Sequence, residues 1–208
     1  MPETADLVAA ARAAGVTDER VLDAIAGVPR AAFVPPELAG RAYADSPLPI
    51  PHEQVTTQPS LVAQMVAALD LGPDDHVLEI GTGYGWQTAL LARLAGRVWS
   101  VERWEDIAES ARRHLARYKN VSVVVGDGSR GLPEHAPYEA ILVAAAFPAV
   151  PGPLAEQLAE SGRLVQPIGP GGADDVVLFE KRGGTLVRSR LLTGAYFVRL
   201  YGDHGFRA

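Results

Sequence analysis

The chain has 208 residues, 48% apolar and 21% charged, with a net charge of −6 and no cysteine. This is the length and balance of one globular domain with a substantial core, and it excludes disulfides, thiolate metal sites and a cysteine nucleophile. No lysine or arginine run exceeds a pair, which argues against electrostatic nucleic-acid binding. No apolar run approaches the roughly 20 residues of a membrane span, and the acidic N-terminus lacks the basic region of a secretory signal. The expectation is a cytoplasmic monomer with neither nucleic acid nor membrane as partner.

In chain order, "TADLVAAARAAG" spaces Leu7, Val8, Ala11 and Ala14 on one helical face, and Gly15 stops it. "TDERVLDAIAGV" predicts a second helix capped by Thr17, with Val21, Leu22 and Ile25 on one face. Prolines at 29, 35, 36, 47, 49 and 51 then predict an extended, ordered linker. "EQVTTQPS", Glu53 to Ser60, has neither helical nor strand periodicity. Its hydroxyls and amides, on Gln54, Thr56, Thr57 and Gln58, suit either a capped loop or a row of groups held over a ligand. "LVAQMVAALDLG" is a helix ending at Gly72.

From His76 short apolar strands alternate with helices: "HVLEI", "GWQTALLARLAG", "RVWSVE", "WEDIAESARRHLARY", "VSVVVG", "YEAILVAAA", "GPLAEQLAESG" and "RLVQPIG". This rhythm predicts an α/β fold with a largely parallel sheet and helices on both faces. The tail, with "GG" at 183–184, predicts an antiparallel hairpin at the sheet edge.

"VLEIGTGYGW" follows a strand with glycines at 81, 83 and 85 and then a helix. Such a turn lets a ligand approach backbone and offers the unpaired N–H groups of a helix N-terminus. Glu102 ends the next strand about 20 residues on, where an acid can accept from ribose hydroxyls. Asp127 and Gly128 follow the third strand; the acid can accept from an exocyclic amino group, and the glycine lets a base lie against backbone. All lie at the carboxyl ends of strands, the ligand edge of an open α/β sheet. A dinucleotide turn is normally G-x-G-x-x-G; here the spacing is G-x-G-x-G, and Glu79 before it would repel a pyrophosphate but suit an ammonium group. The acids favour S-adenosylmethionine over NAD. The five histidines, at 52, 76, 114, 135 and 204, show no metal spacing, and neither a nucleophile elbow nor a P-loop occurs.

"VPRAAFVP", "AYADSPLPI", "EQVTTQPSLVAQM", "LEIGTGYGWQTALLA", "SVER", "GDGSRG", "APYEAILVAAA" and "LAEQLAESGRLVQPIG" together resemble the protein-L-isoaspartate O-methyltransferases, in order, from about residue 20 to about 200. The resemblance implies a Rossmann-like class I methyltransferase sheet, S-adenosylmethionine as cofactor, and a protein or peptide substrate bearing isoaspartate. It implies one domain, with N-terminal helices and an active-site loop over 1–58 and the cofactor core over 59–208. Glu79, Gly81, Thr82 and Gly83 would serve the cofactor's amino acid part, Glu102 and Arg103 the ribose side, and Asp127 with Gly128 the adenine. Thr57 stands where the family has a serine beside the reacting carboxylate, with Gln54, Thr56 and Gln58 around the substrate. Arg199, in "FVRL", stands where the family has proline. Both departures bear on the acceptor. Two alternatives stay open: a related enzyme that methylates an aspartyl side chain of a precursor peptide to drive aspartimide formation, and a cofactor-binding module without methyl transfer.

Overall fold

The structure is a computed structural model and describes residues 2–207. Two N-terminal helices, α1 (Pro2–Ala13) and α2 (Glu19–Gly27), bury their apolar faces against the rest of the chain. The cap of α2 is Asp18 rather than Thr17: its carboxylate accepts from the Arg20 N–H at 2.9 Å. Aspartate caps at least as well as threonine, so the choice between neighbours is made by which backbone turns first. The proline-rich stretch is not wholly extended. It holds two 3-10 turns (Arg30–Phe33 and Pro36–Arg41) and then a small hairpin, β1 (Leu48–Ile50) with β2 (Gln54–Thr56). The hairpin turn puts His52 and Glu53 at φ 60° and 57°, a left-handed conformation that costs non-glycine residues energy and is held by surrounding contacts.

Helix α3 (Pro59–Ala68) leads into the main sheet: β3 (His76–Ile80), α4 (Trp86–Leu94), β4 (Arg97–Glu102), α5 (Glu105–His114), β5 (Val121–Val125), β6 (Tyr138–Val143), α6 (Gly152–Gln157), β7 (Leu158–Ile168), β8 (Asp174–Arg182) and β9 (Thr185–Ala195). The strand order is β5-β4-β3-β6-β7-β8-β9, parallel as far as β7 and antiparallel beyond. The order reverses at β3/β6, so the crevice for a ligand opens at the carboxyl ends of these two strands. The β8–β9 turn is Gly183-Gly184 at φ 57° and 75°, the doubly left-handed turn that matches strand twist.

Neighbours along a strand point to opposite faces, and both faces of the sheet are apolar. Val77, Val98 and Leu142 join α1 through α4 in one core, while Leu78, Ile80, Ile141 and Val143 join Leu154 of α6 in the other. Burying such a side chain is worth about 1.5–3 kcal/mol. The predicted helix over 152–162 is cut short at Gln157, and β7 begins at Leu158. Ser161 at φ 64° and a register jump between Tyr138 and Ala140 accommodate residues 159–162 as a bulge.

The N-terminus of α3 is capped from outside the helix. Gln58 is the cap residue but makes no capping bond. Asp45 instead accepts from the Ser60 N–H at 2.8 Å and from Gln58 Nε2 at 2.9 Å. Asp45→Ala is expected to cost about 0.5–2 kcal/mol, or roughly 2–4 °C of Tm per kcal/mol. Thr57→Ala is expected to leave Tm unchanged, because Thr57 takes no part in the cap. Thermal unfolding of the two variants by circular dichroism checks both.

Candidate active site

A cavity of about 400 Å³ opens at the β3/β6 switch point. One wall is the glycine turn, Gly81 to Tyr84, with Glu102, Arg103, Trp104 and Gly128; the facing residues are Gln54 to Thr57, along β2 and one position beyond it, and Val198 to Tyr201 of the tail. The tail reaches the site because Ala146, beyond β6, bonds on both sides of Arg199: its N–H donates to Val198 O and its carbonyl accepts from Leu200 N–H, each at 2.8 Å.

The turn conforms to what its glycines permit. Gly81, Gly83 and Gly85 all have φ between 54° and 94°, a region closed to most side chains. Gly128 is excluded from change by space: an added Cβ would lie 2.3 Å from Ile80 Cγ2. Glu102 fastens the turn to β4. Its Oε2 accepts from the Gly83 N–H at 2.9 Å, and Oε1 from the N–H groups of Arg103 and Trp104 at 2.8 and 3.1 Å. Burial raises its pKa above the ordinary carboxylate value in spite of those three donors.

Glu79 lies under the turn and does not line the cavity. It is fully buried, with Gln87 Nε2 at 2.9 Å on one oxygen and the hydroxyls of Thr88 and Ser100 at 2.5 Å on the other. Ser100 Oγ also meets Thr82 Oγ1 at 2.5 Å, so Glu79 reaches the turn through Ser100 and Thr82 rather than by facing a ligand. Burial pushes its pKa up to about 7. Gln87, which the sequence presents only as a helix residue, lines the cavity, and its buried Oε1 has no partner.

Asp127 is likewise set back. Oδ1 accepts from the N–H and hydroxyl of Ser129 at 2.9 and 2.6 Å, and Oδ2 from the Asp203 N–H at 2.8 Å. Only its neighbour Gly128 lines the cavity. Gln58 is drawn off by Asp45 and does not line it either.

The hairpin side is organised by Arg30, which is fully buried. Its guanidinium donates to the carbonyls of Ala42, Ala44, Ser46 and Thr57 and, at 2.7 Å, to Thr56 Oγ1. Burial lowers its pKa to about 10. The Thr56 hydroxyl is therefore committed to the scaffold. The Thr57 hydroxyl, next along the same wall, has no protein partner among the described residues. Gln54 lines the cavity and bonds the His52 carbonyl at 2.8 Å. Across the mouth, His52 stacks on Trp104 at 4.0 Å, and its Nε2 lies 3.0 Å from both Asp106 oxygens. Arg103 lies over Trp104 and Tyr201, at 5.2 and 5.1 Å from their ring centroids. No group of three or more metal-ligating side chains occurs among the described residues, and no helix there is long and apolar enough to cross a membrane.

An open parallel sheet, a glycine turn at its switch point and a strand-end acid on the next strand define an α/β protein that binds a small nucleoside-like ligand, here beside a hydroxyl-bearing hairpin. The family model for protein-L-isoaspartate(D-aspartate) O-methyltransferase matches residues 2–205, and the chain belongs to that family. The protein-L-isoaspartate O-methyltransferase of Aeropyrum pernix is 50% identical over 198 residues, covering 92% of this chain and 76% of its own. That of Methanoculleus marisnigri is 50% identical over 198 residues, covering 94% and 90%. Among solved structures, a protein-L-isoaspartate O-methyltransferase superposes with a TM-score of 0.84 at 31% identity, over 97% of this chain and 67% of that one. A putative one from Plasmodium falciparum, in complex with S-adenosyl-L-homocysteine, shares the fold with a TM-score of 0.81 at 21% identity, over 96% and 98%.

The buried Glu79 generates a pH-dependent prediction. A carboxyl whose folded pKa of about 7 exceeds its ordinary 4.5 stabilises the fold below 4.5 and loses that contribution as pH rises toward 7. Glu79→Gln removes the titration. The Tm of the wild type minus that of the variant is expected to fall between pH 4.5 and 7 and to level off above. A difference that stays constant, measured by calorimetry, would show that Glu79 titrates normally.

Proposed function

We propose that this chain transfers the methyl group of S-adenosylmethionine to the α-carboxylate of L-isoaspartyl residues in proteins or peptides, the activating step of their repair. The observation that carries this reading is that one cavity joins the glycine turn and Glu102 to the unengaged hydroxyl of Thr57.

The residues fit such a cofactor. The turn Gly81–Thr82–Gly83 and the orphaned Gln87 Oε1 suit its amino acid part, because an ammonium group supplies the donor that Gln87 lacks. Glu102 keeps acceptor capacity for a ribose, with Arg103 beside it. Gly128 forms the floor for a base; Asp127, set back from the cavity with both oxygens engaged, would support that floor through Ser129 and Asp203 and would meet the base's amino group only if its side chain turned. When bound, the cofactor supplies a methyl group on a sulfonium, which a carboxylate attacks without prior deprotonation.

The chain's own work is then positional. The acceptor has a reference pKa of roughly 4 and is anionic at neutral pH. Thr57 donates to one acceptor oxygen and leaves the other free. Arg30 fixes the backbone that carries Thr57, and orientation of this kind lowers a barrier by up to about 7–11 kcal/mol. His52 is the one histidine in the cavity wall, and Asp106 and Trp104 hold it; no imidazole is assigned as base. The division at residues 58 and 59 between acceptor-side and cofactor-side parts of one domain, and a cytoplasmic monomer with no nucleic acid or membrane partner, complete the reading.

Thr57 and Arg199, both in the cavity wall, favour a second reading in which the acceptor is an aspartyl side chain of a precursor peptide. Threonine is stiffer at χ1 than serine and adds a methyl, and an isoaspartyl carboxylate sits one methylene nearer the backbone than an aspartyl one. Matched isoaspartyl and aspartyl peptides, assayed with wild type and Thr57→Ser, separate the two. Methylation of the isoaspartyl peptide alone is the expected outcome, and methylation of the aspartyl peptide alone would replace the repair reading. Thr57→Ala is expected to lower kcat at least tenfold with unchanged cofactor affinity.

Glu102→Ala is expected to weaken S-adenosylmethionine binding about tenfold or more, since hydrogen bonds to a charged group are worth about 1.5–3 kcal/mol. Isothermal titration at equal fold content measures it, and unchanged affinity would remove Glu102 from the site.

A further inference from the structure

Arg199 combines three properties in the cavity wall, and it alone of the cavity arginines is anchored by a hydrogen bond through Nε. It is exposed while lining the wall on the tail side. It is held in place: Nε donates to the Pro170 carbonyl at 2.9 Å, and its guanidinium carbon lies 5.2 Å from the Phe206 ring centroid. Its stem passes over Gly171, where an added Cβ would lie 2.5 Å from Arg199 Cγ. Finally, neither of its terminal nitrogens has a protein partner, and no carboxylate pairs with it among the described residues. Exposed arginines elsewhere divide: Arg12 pairs with Glu19, Arg182 with Glu180 and Arg188 with Asp175, whereas Arg41, Arg93 and Arg190 have no carboxylate partner among the described residues; what sets Arg199 apart is that an unpaired head is fixed in the cavity wall. Arg103, the other cationic rim residue, lies over Trp104 and Tyr201 on the cofactor side. Arg30 is buried, with its head directed at backbone.

A guanidinium fixed through Nε and its stem, with its two outer nitrogens free, is arranged for fork-like recognition of a carboxylate. Because its stem and Nε are already ordered, little side-chain freedom is left to lose on binding. The acceptor carboxylate is the wrong client. A full cation on it would stabilise the anion before attack more than the charge-dispersed transition state, and Thr57 already offers it a neutral donor. We propose that Arg199 is a specificity-determining residue that binds a second carboxylate of the substrate, on an aspartate or glutamate within about three residues of the methylated position. The proposal rests on the carboxyl methyltransferase reading and adds a substrate class to it: acidic peptide segments are preferred over neutral or basic ones.

The test uses blocked peptides, each with one isoaspartate in a neutral background, with glutamine, glutamate or lysine scanned over three positions on either side. The wild type is expected to show kcat/KM higher for glutamate than for glutamine by about threefold to tenfold at one or more positions, in the range of a partly exposed, well-oriented ion pair. The preference should shrink at high salt, fall to near unity in Arg199→Gln and return in part in Arg199→Lys. A wild type indifferent to glutamate at every position overturns the proposal. So does an Arg199→Gln variant that loses the glutamine and glutamate peptides in equal measure, which would mark a structural role. If the wild type methylates no peptide, the transferase reading fails by itself. The Arg199 proposal is then decided by fluorescence anisotropy of labelled glutamate and glutamine peptides on wild type and Arg199→Gln: a glutamate preference lost in the variant sustains it, and equal binding ends it.

Discussion

The hairpin wall of the cavity depends on one buried cation. Arg30 sits with no exposed surface, no carboxylate on its guanidinium, and a pKa lowered to about 10. Burial of an uncompensated charge costs several kcal/mol. The offset comes from dipoles: four carbonyls and the Thr56 hydroxyl converge on it from residues 42 to 57. That stretch has few regular hydrogen bonds of its own beyond the three-residue strands of its hairpin. The cation therefore replaces secondary structure as the organiser of the segment. It also decides which threonine is free, because it takes the hydroxyl of Thr56 and only the carbonyl of Thr57.

The glycine-turn wall is organised by the opposite charge. Glu102 gathers three backbone N–H groups and joins the ends of β3 and β4, while Glu79 lies beneath and reaches the turn through the Ser100 and Thr82 hydroxyls. Neither acid has a basic partner. Each is held by neutral donors, and burial raises both pKa values. With no ion pair holding them ionised, a cation bound in the crevice would draw both toward the charged form.

The sheet was legible because it rests on local signals. Alternating strands and helices, the glycine spacing at 81, 83 and 85, and the paired glycines at 183–184 each fix backbone conformation by themselves. The strands His76–Ile80 and Arg97–Glu102 and the edge hairpin stand where the pattern puts them. What was not legible rests on contacts distant in sequence. Nothing local shows that Asp45, 15 positions away, caps α3 through the Ser60 N–H, and so the sequence leaves a capped loop and a ligand wall equally open for residues 54–58. The prolines at 49 and 51 hid the β1–β2 hairpin, whose geometry depends on strained residues at 52 and 53. Motif matching placed Glu79, Asp127 and Gln58 near the ligand, but the partners that turn those side chains aside, Thr88, the Asp203 N–H and Asp45, belong to other segments. Gln87, Trp104 and Tyr201 line the cavity and carry no motif signal, since a glutamine or tryptophan at a helix start, or a tyrosine in the tail, reads as ordinary packing.

The two halves meet in a charge argument. Under the proposed reaction a sulfonium cation and a carboxylate anion become a thioether and a neutral ester, so both formal charges vanish. Only the sulfonium and the acceptor carboxylate lose charge; the ammonium of the cofactor's amino acid part and a second carboxylate of the substrate persist, so the electrostatic match weakens only at the reacting atoms. The same complementarity holds reactants in their ground state, and a charge touching the reacting atoms would raise the barrier by the part of that stabilisation lost in the transition state. The structure keeps the charges one step removed. Glu79 acts through two hydroxyls, Arg30 holds the backbone of the threonine, and Arg199 sits at the rim. The group left free where Arg30 presents the loop is the neutral hydroxyl of Thr57.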